Sequence, residues 1–148
     1  MRRSVTAPPV PLGEAALAGA AAAGLWLAVE PLACRLAGTP LTTPRLLGRM
    51  VARGPAWPAV GVALHLANGA AFGVVFARLG IRGWRRGFAA AQLEGALLWP
   101  AMAAVDRLHP DRLDGAWPPL RRSGRAFAKE AVVHGVFGAA LGAFLRRR

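Results

Sequence analysis

Residues Ala56–Leu79 read AWPAVGVALHLANGAAFGVVFARL, and this stretch decides the fold. From Gly54 to Ala77 its only ionisable side chain is His65. A soluble amphipathic helix would carry a charged face opposite its apolar stripe. This segment is apolar on every side, and it is about as long as the roughly 20 residues that cross a hydrocarbon core. It reads as a transmembrane helix, with Trp57 at its start as a headgroup-level anchor.

Three more windows share this character. Between Arg3 and Arg35 the ionisable side chains are Glu14, Glu30 and the thiol of Cys34. Gly87 to Val105 has Glu94 alone, and Ala126 to Leu145 has Lys129, Glu130 and His134. The whole chain of 148 residues is 55% apolar and 18% charged, too little polar surface for a soluble domain of this size. The expected fold is therefore all-α: a polytopic membrane protein with four transmembrane helices in one bundle.

The helices are expected at about 13–34, 56–79, 88–108 and 126–145, after a disordered basic tail over 1–12 and forming one domain over 13–148. Pro31 should kink or end the first helix, and Pro100 should kink the third. Arg2 and Arg3 ahead of an Ala/Leu core resemble a secretory signal, but further membrane-length segments follow, so the first helix is read as uncleaved. Between the first two helices, Arg45, Arg49 and Arg53 are spaced by four with Leu46, Leu47, Met50 and Val51 among them. Two readings stand: a helix lying in the interface, or a solvated loop with basic anchors. The segment Asp106–Arg125 is the most polar and reads as a surface-hugging loop.

Helices 2 and 4 share a pattern. His65, Gly69 and Gly73 recur 69 residues later as His134, Gly138 and Gly142, and the same offset carries Pro31 to Pro100. The chain can thus be read as two duplicated helical hairpins in parallel orientation. Gly61, Gly69, Gly73, Gly138 and Gly142 are helix-packing positions, because small residues at this spacing let backbones approach in lipid. Both histidines lie on those faces and should point into the bundle.

An ionisable group at membrane depth is costly and marks a partner or a purpose. His65, Glu94, Glu130 and His134 form the candidate intramembrane polar cluster, with Glu130 and His134 one turn apart on one face. Such a cluster could relay protons, bind an ion or hold a transition metal; equally, it could simply join helices, with Glu130 pairing to Arg125 or Lys129. Asp106, His109, Asp111 and Asp114 lack the spacing of a calcium loop, and with Arg107 and Arg112 among them they read as solvated and self-paired. The single cysteine allows no internal disulfide.

No P-loop, G-x-S-x-G, C-x-x-C or dinucleotide-binding turn is present, so no catalytic residue and no cofactor are expected. The net charge of +12 comes from arginines at helix ends. It calls for anionic lipid, not nucleic acid. The expected partners are the bilayer and either a second copy or another membrane protein.

His65-x-x-Asn-Gly-x-x-Phe-Gly73, Asp106-x-x-His-Pro110 and His134-x-x-Phe-Gly-x-x-x-Gly142 resemble motifs of small four-helix bacterial inner-membrane proteins of the YagU-like kind. The resemblance covers helices 2 to 4 and implies a multi-pass protein of the bacterial cytoplasmic membrane. Nine arginines flank the side bearing the termini; nine more and Lys129 flank the other. The tight abutment of the first group on the helix ends places the termini in the cytoplasm. The functional expectation is a structural or accessory membrane protein. The alternative is a small transporter or a proton- or ion-conducting subunit that uses the Glu/His cluster.

Overall fold

The computed structural model describes residues 10–146. The expected disordered tail falls mostly outside them; of its described part, Val10 packs into the core and Leu12 opens the first helix. The elements are α1 (Leu12–Ala37), α2 (Thr43–Val51), α3 (Trp57–Arg78), α4 (Trp84–Leu98), α5 (Met102–Leu108), α6 (Pro110–Leu113) and α7 (Gly124–Arg146). Among the described residues there is no strand. Four helical stretches are long and apolar enough to cross a membrane: α1, α3, α4 continued through α5, and α7. The chain is an all-α, four-helix membrane bundle.

Each span differs slightly from the sequence expectation. α1 runs through Pro31 and ends at Gly38, whose φ of 63° is a left-handed conformation that a glycine adopts without a Cβ clash. Pro100 does interrupt its helix: Trp99–Ala101 is a 3-10 turn joining α4 to α5. The third span begins a turn early, at Trp84. α2 settles the connector as a helix, with Pro44 in its first turn, where a missing N–H is harmless.

The packing differs from that of a soluble domain. Alanines line the helix contacts, with Ala15, Ala22, Ala23, Ala33 and Ala91 all buried beside Trp26, Phe76, Phe137 and Leu141. Large aliphatic side chains face outward, among them Leu17 and Leu36 on α1, Leu93 and Leu97 on α4, and Val132 on α7. Only a hydrocarbon solvent accepts such a surface at this extent.

Two antiparallel hairpins are built alike. A Cβ on Gly19 of α1 would overlap the Gly69 carbonyl of α3, and one on Gly87 of α4 would overlap the Gly138 carbonyl of α7. The Cβ of Ala23 rests on Gly69 as that of Ala91 rests on Gly138, and Gly73 and Gly142 complete the two seams. Gly61 differs: it seats α2, through the Pro44 carbonyl. α1 also packs along α7, which joins the hairpins. The corresponding pair, α3 and α4, does not pack along its length, and a cleft stands there instead.

Candidate functional site

α1 and α7 run antiparallel, and their polar residues meet on the connector side. Trp26 and Glu30 are one helical turn apart on α1, so both face the seam. Trp26 Nε1 donates to Glu30 Oε1 at 3.3 Å and to Thr43 Oγ1 at 3.1 Å. Glu30 Oε1 also accepts from the Thr43 N–H at 2.8 Å and the Thr43 hydroxyl at 2.7 Å. Lys129 Nζ closes the set, 2.7 Å from Glu30 Oε1 and 2.7 Å from Glu130 Oε1. The Lys129 side chain is 0% exposed and that of Glu30 3%, so this is an ion pair inside the protein and not at a lipid headgroup.

The chain of contacts continues inward. His134 Nδ1 lies 2.8 Å from the Glu130 carbonyl oxygen and 3.6 Å from Glu130 Oε2. His134 Nε2 lies 3.3 Å from Glu94 Oε2 on α4. Gly95 makes the approach possible, since a Cβ there would meet His134 Cδ2 at 3.1 Å. At 1.5 Å per residue, His134 is about 15 Å from the start of α7, the middle of a core about 30 Å thick.

Nδ1 faces only oxygen acceptors, so it carries a hydrogen. Nε2 faces a carboxylate, where one further proton would be held as imidazolium with carboxylate or as imidazole with carboxylic acid. The three carboxyl groups Glu30, Glu94 and Glu130 stand against Lys129 and His134. Even with His134 charged, the cluster is one positive charge short of neutrality.

Of the four residues the sequence singled out, Glu94, Glu130 and His134 come together. His65 does not join them. The Trp26 indole lies between the two imidazoles, with ring centroids 5.1 Å from His65 and 4.6 Å from His134, both edge-on. His65 is 4% exposed, and its Nε2 has no hydrogen-bond partner among the described residues. Glu130 pairs with Lys129 and not with Arg125. Glu30 and Lys129 were not in the expected cluster.

The cleft between α3 and α4 has a volume of about 440 Å³. Trp26, Phe72, Trp99, Phe127 and Phe137 supply aromatic wall, and Leu46 and Leu47 of α2 lie at the connector end. Its ionisable wall residues are Glu94, Glu130, His65 and His134.

In the second candidate cluster Asp114 is solvated, as expected, but His109 and Asp111 are not. His109 is 0% and Asp111 1% exposed. Asp111 receives a two-pronged bond from Arg45 of α2, Nε to Oδ2 at 2.9 Å and Nη2 to Oδ1 at 3.0 Å, with Arg49 Nε at 3.4 Å. The basic edge of α2 thus binds α6 and not only lipid. His109 stacks on Trp117 at 4.5 Å. Its Nδ1 accepts from the Asp111 N–H at 3.1 Å, so its Nε2 donates to the Leu46 carbonyl, also at 3.1 Å. Burial pushes the His109 imidazole below its ordinary range, against the pull of the Leu46 carbonyl and Asp111. Burial would raise the Asp111 carboxyl, but the Arg45 hydrogen bonds and charge, with Arg49, hold it low. Asp106 does pair within its own loop, with Arg112 at 3.1 Å and with the N–H groups of Leu120 and Arg121. The whole is a clasp that ties one hairpin's connector to the other's.

Among the described residues no group of three or more His, Cys, Asp or Glu side chains is arranged to hold a metal ion. No family profile, curated protein or solved structure matches the chain.

Proposed function

We propose that the chain is a small transporter-type membrane protein in which Glu94, His134 and Glu130 handle a proton beside the intramembrane cleft. The observation that carries this reading is His134 held between two carboxylates at mid-depth, Nε2 to Glu94 and Nδ1 to Glu130. An imidazole so placed takes a proton at one nitrogen and gives it up at the other. The cluster carries more negative charge than positive, an excess that a bound proton would neutralise.

Glu30, Lys129 and Thr43 favour a second, structural role for their end of the chain. Glu30 Oε1 is saturated with donors from three elements, the pattern of a lock between α1, α2 and α7. We place the protein in a bacterial cytoplasmic membrane with cytoplasmic termini. The motif resemblance supports the location, and the arginines abutting the helix ends support the orientation.

Infrared difference spectroscopy on the protein in lipid tests the proton role. Lowering the pH should bring up a protonated-carboxyl C=O band that Glu94→Gln diminishes. Carboxylates that stay ionised from neutral to mildly acid pH in the wild type would overturn it.

A further inference from the structure

The cleft has three features that together specify a ligand. Its wall is aromatic, with Trp26, Phe72, Trp99, Phe127 and Phe137, a lining that suits the apolar body of a molecule and the face-on approach of a cation. The charged groups around it leave one negative charge uncompensated. From α4 comes Glu94; from α7 come Lys129, Glu130 and His134; α1 adds Glu30, α3 adds His65, and α2 lines it only with Thr43, Leu46 and Leu47. Finally, the His65 ring lines the cleft, and its buried Nε2 has no partner among the described residues, a state that costs free energy until a polar group meets it.

In the neutral tautomer with its hydrogen on Nδ1, His65 offers Nε2 as an acceptor, and a donor would meet it. A group that donates hydrogen bonds, carries a positive charge and sits on an apolar body is a protonated amine.

We infer that the cleft between α3 and α4 binds a lipophilic primary or secondary ammonium ion, with an N–H directed to His65 Nε2 and its charge set against Glu94. The inference rests on the reading of Glu94–His134–Glu130 as a proton-accepting site. A proton and an ammonium ion neutralise the same excess charge, so each displaces the other. That competition is what couples a proton gradient to amine movement. The volume of about 440 Å³ falls within the range of small-molecule sites.

The test is binding by the full-length protein in phosphatidylcholine nanodiscs, with empty nanodiscs subtracted. The probes are 1-naphthylmethylamine, its neutral analogue 1-naphthalenemethanol, and 1-naphthoic acid. The amine should bind at least tenfold more tightly than the alcohol, and the acid should not bind. Glu94→Gln should weaken the amine about tenfold and leave the alcohol unchanged, and acidification should weaken the amine alone. Equal binding of amine and alcohol by the wild type overturns the inference without any variant having to fold. If the infrared band appears but the amine shows no preference, the ligand assignment is wrong and the proton role stands. If the amine binds selectively but no carboxyl titrates, the proton role is wrong and only a cation site remains.

Discussion

Lys129 Nζ lies 2.7 Å from Glu30 Oε1 across 99 residues of sequence, joining α7 to α1 where neither side chain reaches water. Burying two charges is repaid only when geometry and extra hydrogen bonds are good, and here Thr43 and Trp26 supply them. The pair is the bolt between the two hairpins.

Removing one partner should therefore harm more than removing both. Lys129→Met should destabilise the bundle by about 3–5 kcal/mol, because Glu30 is left charged and unpaired. Adding Glu30→Gln should restore a substantial part of that loss. Thermal unfolding in a fixed detergent checks the pair of variants; a double variant no better than the single one would show that the ion pair is not the source of the effect.

The glycine seams give a prediction with internal controls. Gly19→Ala and Gly87→Ala each place a Cβ against a carbonyl backbone and should cost about 1–3 kcal/mol as overpacking. Gly13→Ala and Gly24→Ala meet nothing within 4 Å and should be neutral or slightly stabilising. Matching losses at Gly19 and Gly87 would also support the equivalence of the two hairpins.

The connector clasp should weaken in acid. His109 and Asp111 both have folded-state values below their ordinary ones, so the unfolded chain binds more protons and stability falls as pH falls. The loss from His109 begins below about pH 6.5, its ordinary value, and that from Asp111 below about pH 4. Thermal midpoints recorded against pH should show a slope between neutral and mildly acid conditions that His109→Gln removes. Arg45→Met should lower the midpoint at neutral pH and raise the pH at which the Asp111 contribution is lost.

How much of this was legible in the sequence depends on the range of each contact. The four spans followed from segments apolar on every side, and the Glu130–His134 pair followed from i, i+4 spacing. Glu94 could be added by its depth. Glu30 and Lys129 could not, because each lies within about 11 Å of a helix end at 1.5 Å per residue, where a charge reads as reaching for the interface. Only the packing of α1 along α7 makes them interior. His65 was drawn into the cluster by its depth and its small-residue face, and no spacing rule reveals that the Trp26 indole would stand between the imidazoles. Likewise Arg45 and Arg49 announced a basic helix edge, but their partner Asp111 is 66 residues from Arg45 and buried in the fold.

Orientation has a direct check. In a Cys34→Ala background, Ala116→Cys on the connector side should react with a membrane-impermeant maleimide added to intact cells. Arg85→Cys, in the first turn of α4, should react only after permeabilisation. The reverse pattern would place the termini outside.

The most direct measurement of the central claim is nitrogen-15 NMR of the protein labelled only at histidine and held in lipid. The ring nitrogens of His134, assigned with His134→Gln, should move between neutral and doubly protonated signatures as pH is lowered, and Glu94→Gln should displace that transition. A His134 fixed in one neutral tautomer, with no response to pH or to Glu94→Gln, would contradict a proton-handling site and leave the chain of contacts a purely structural brace.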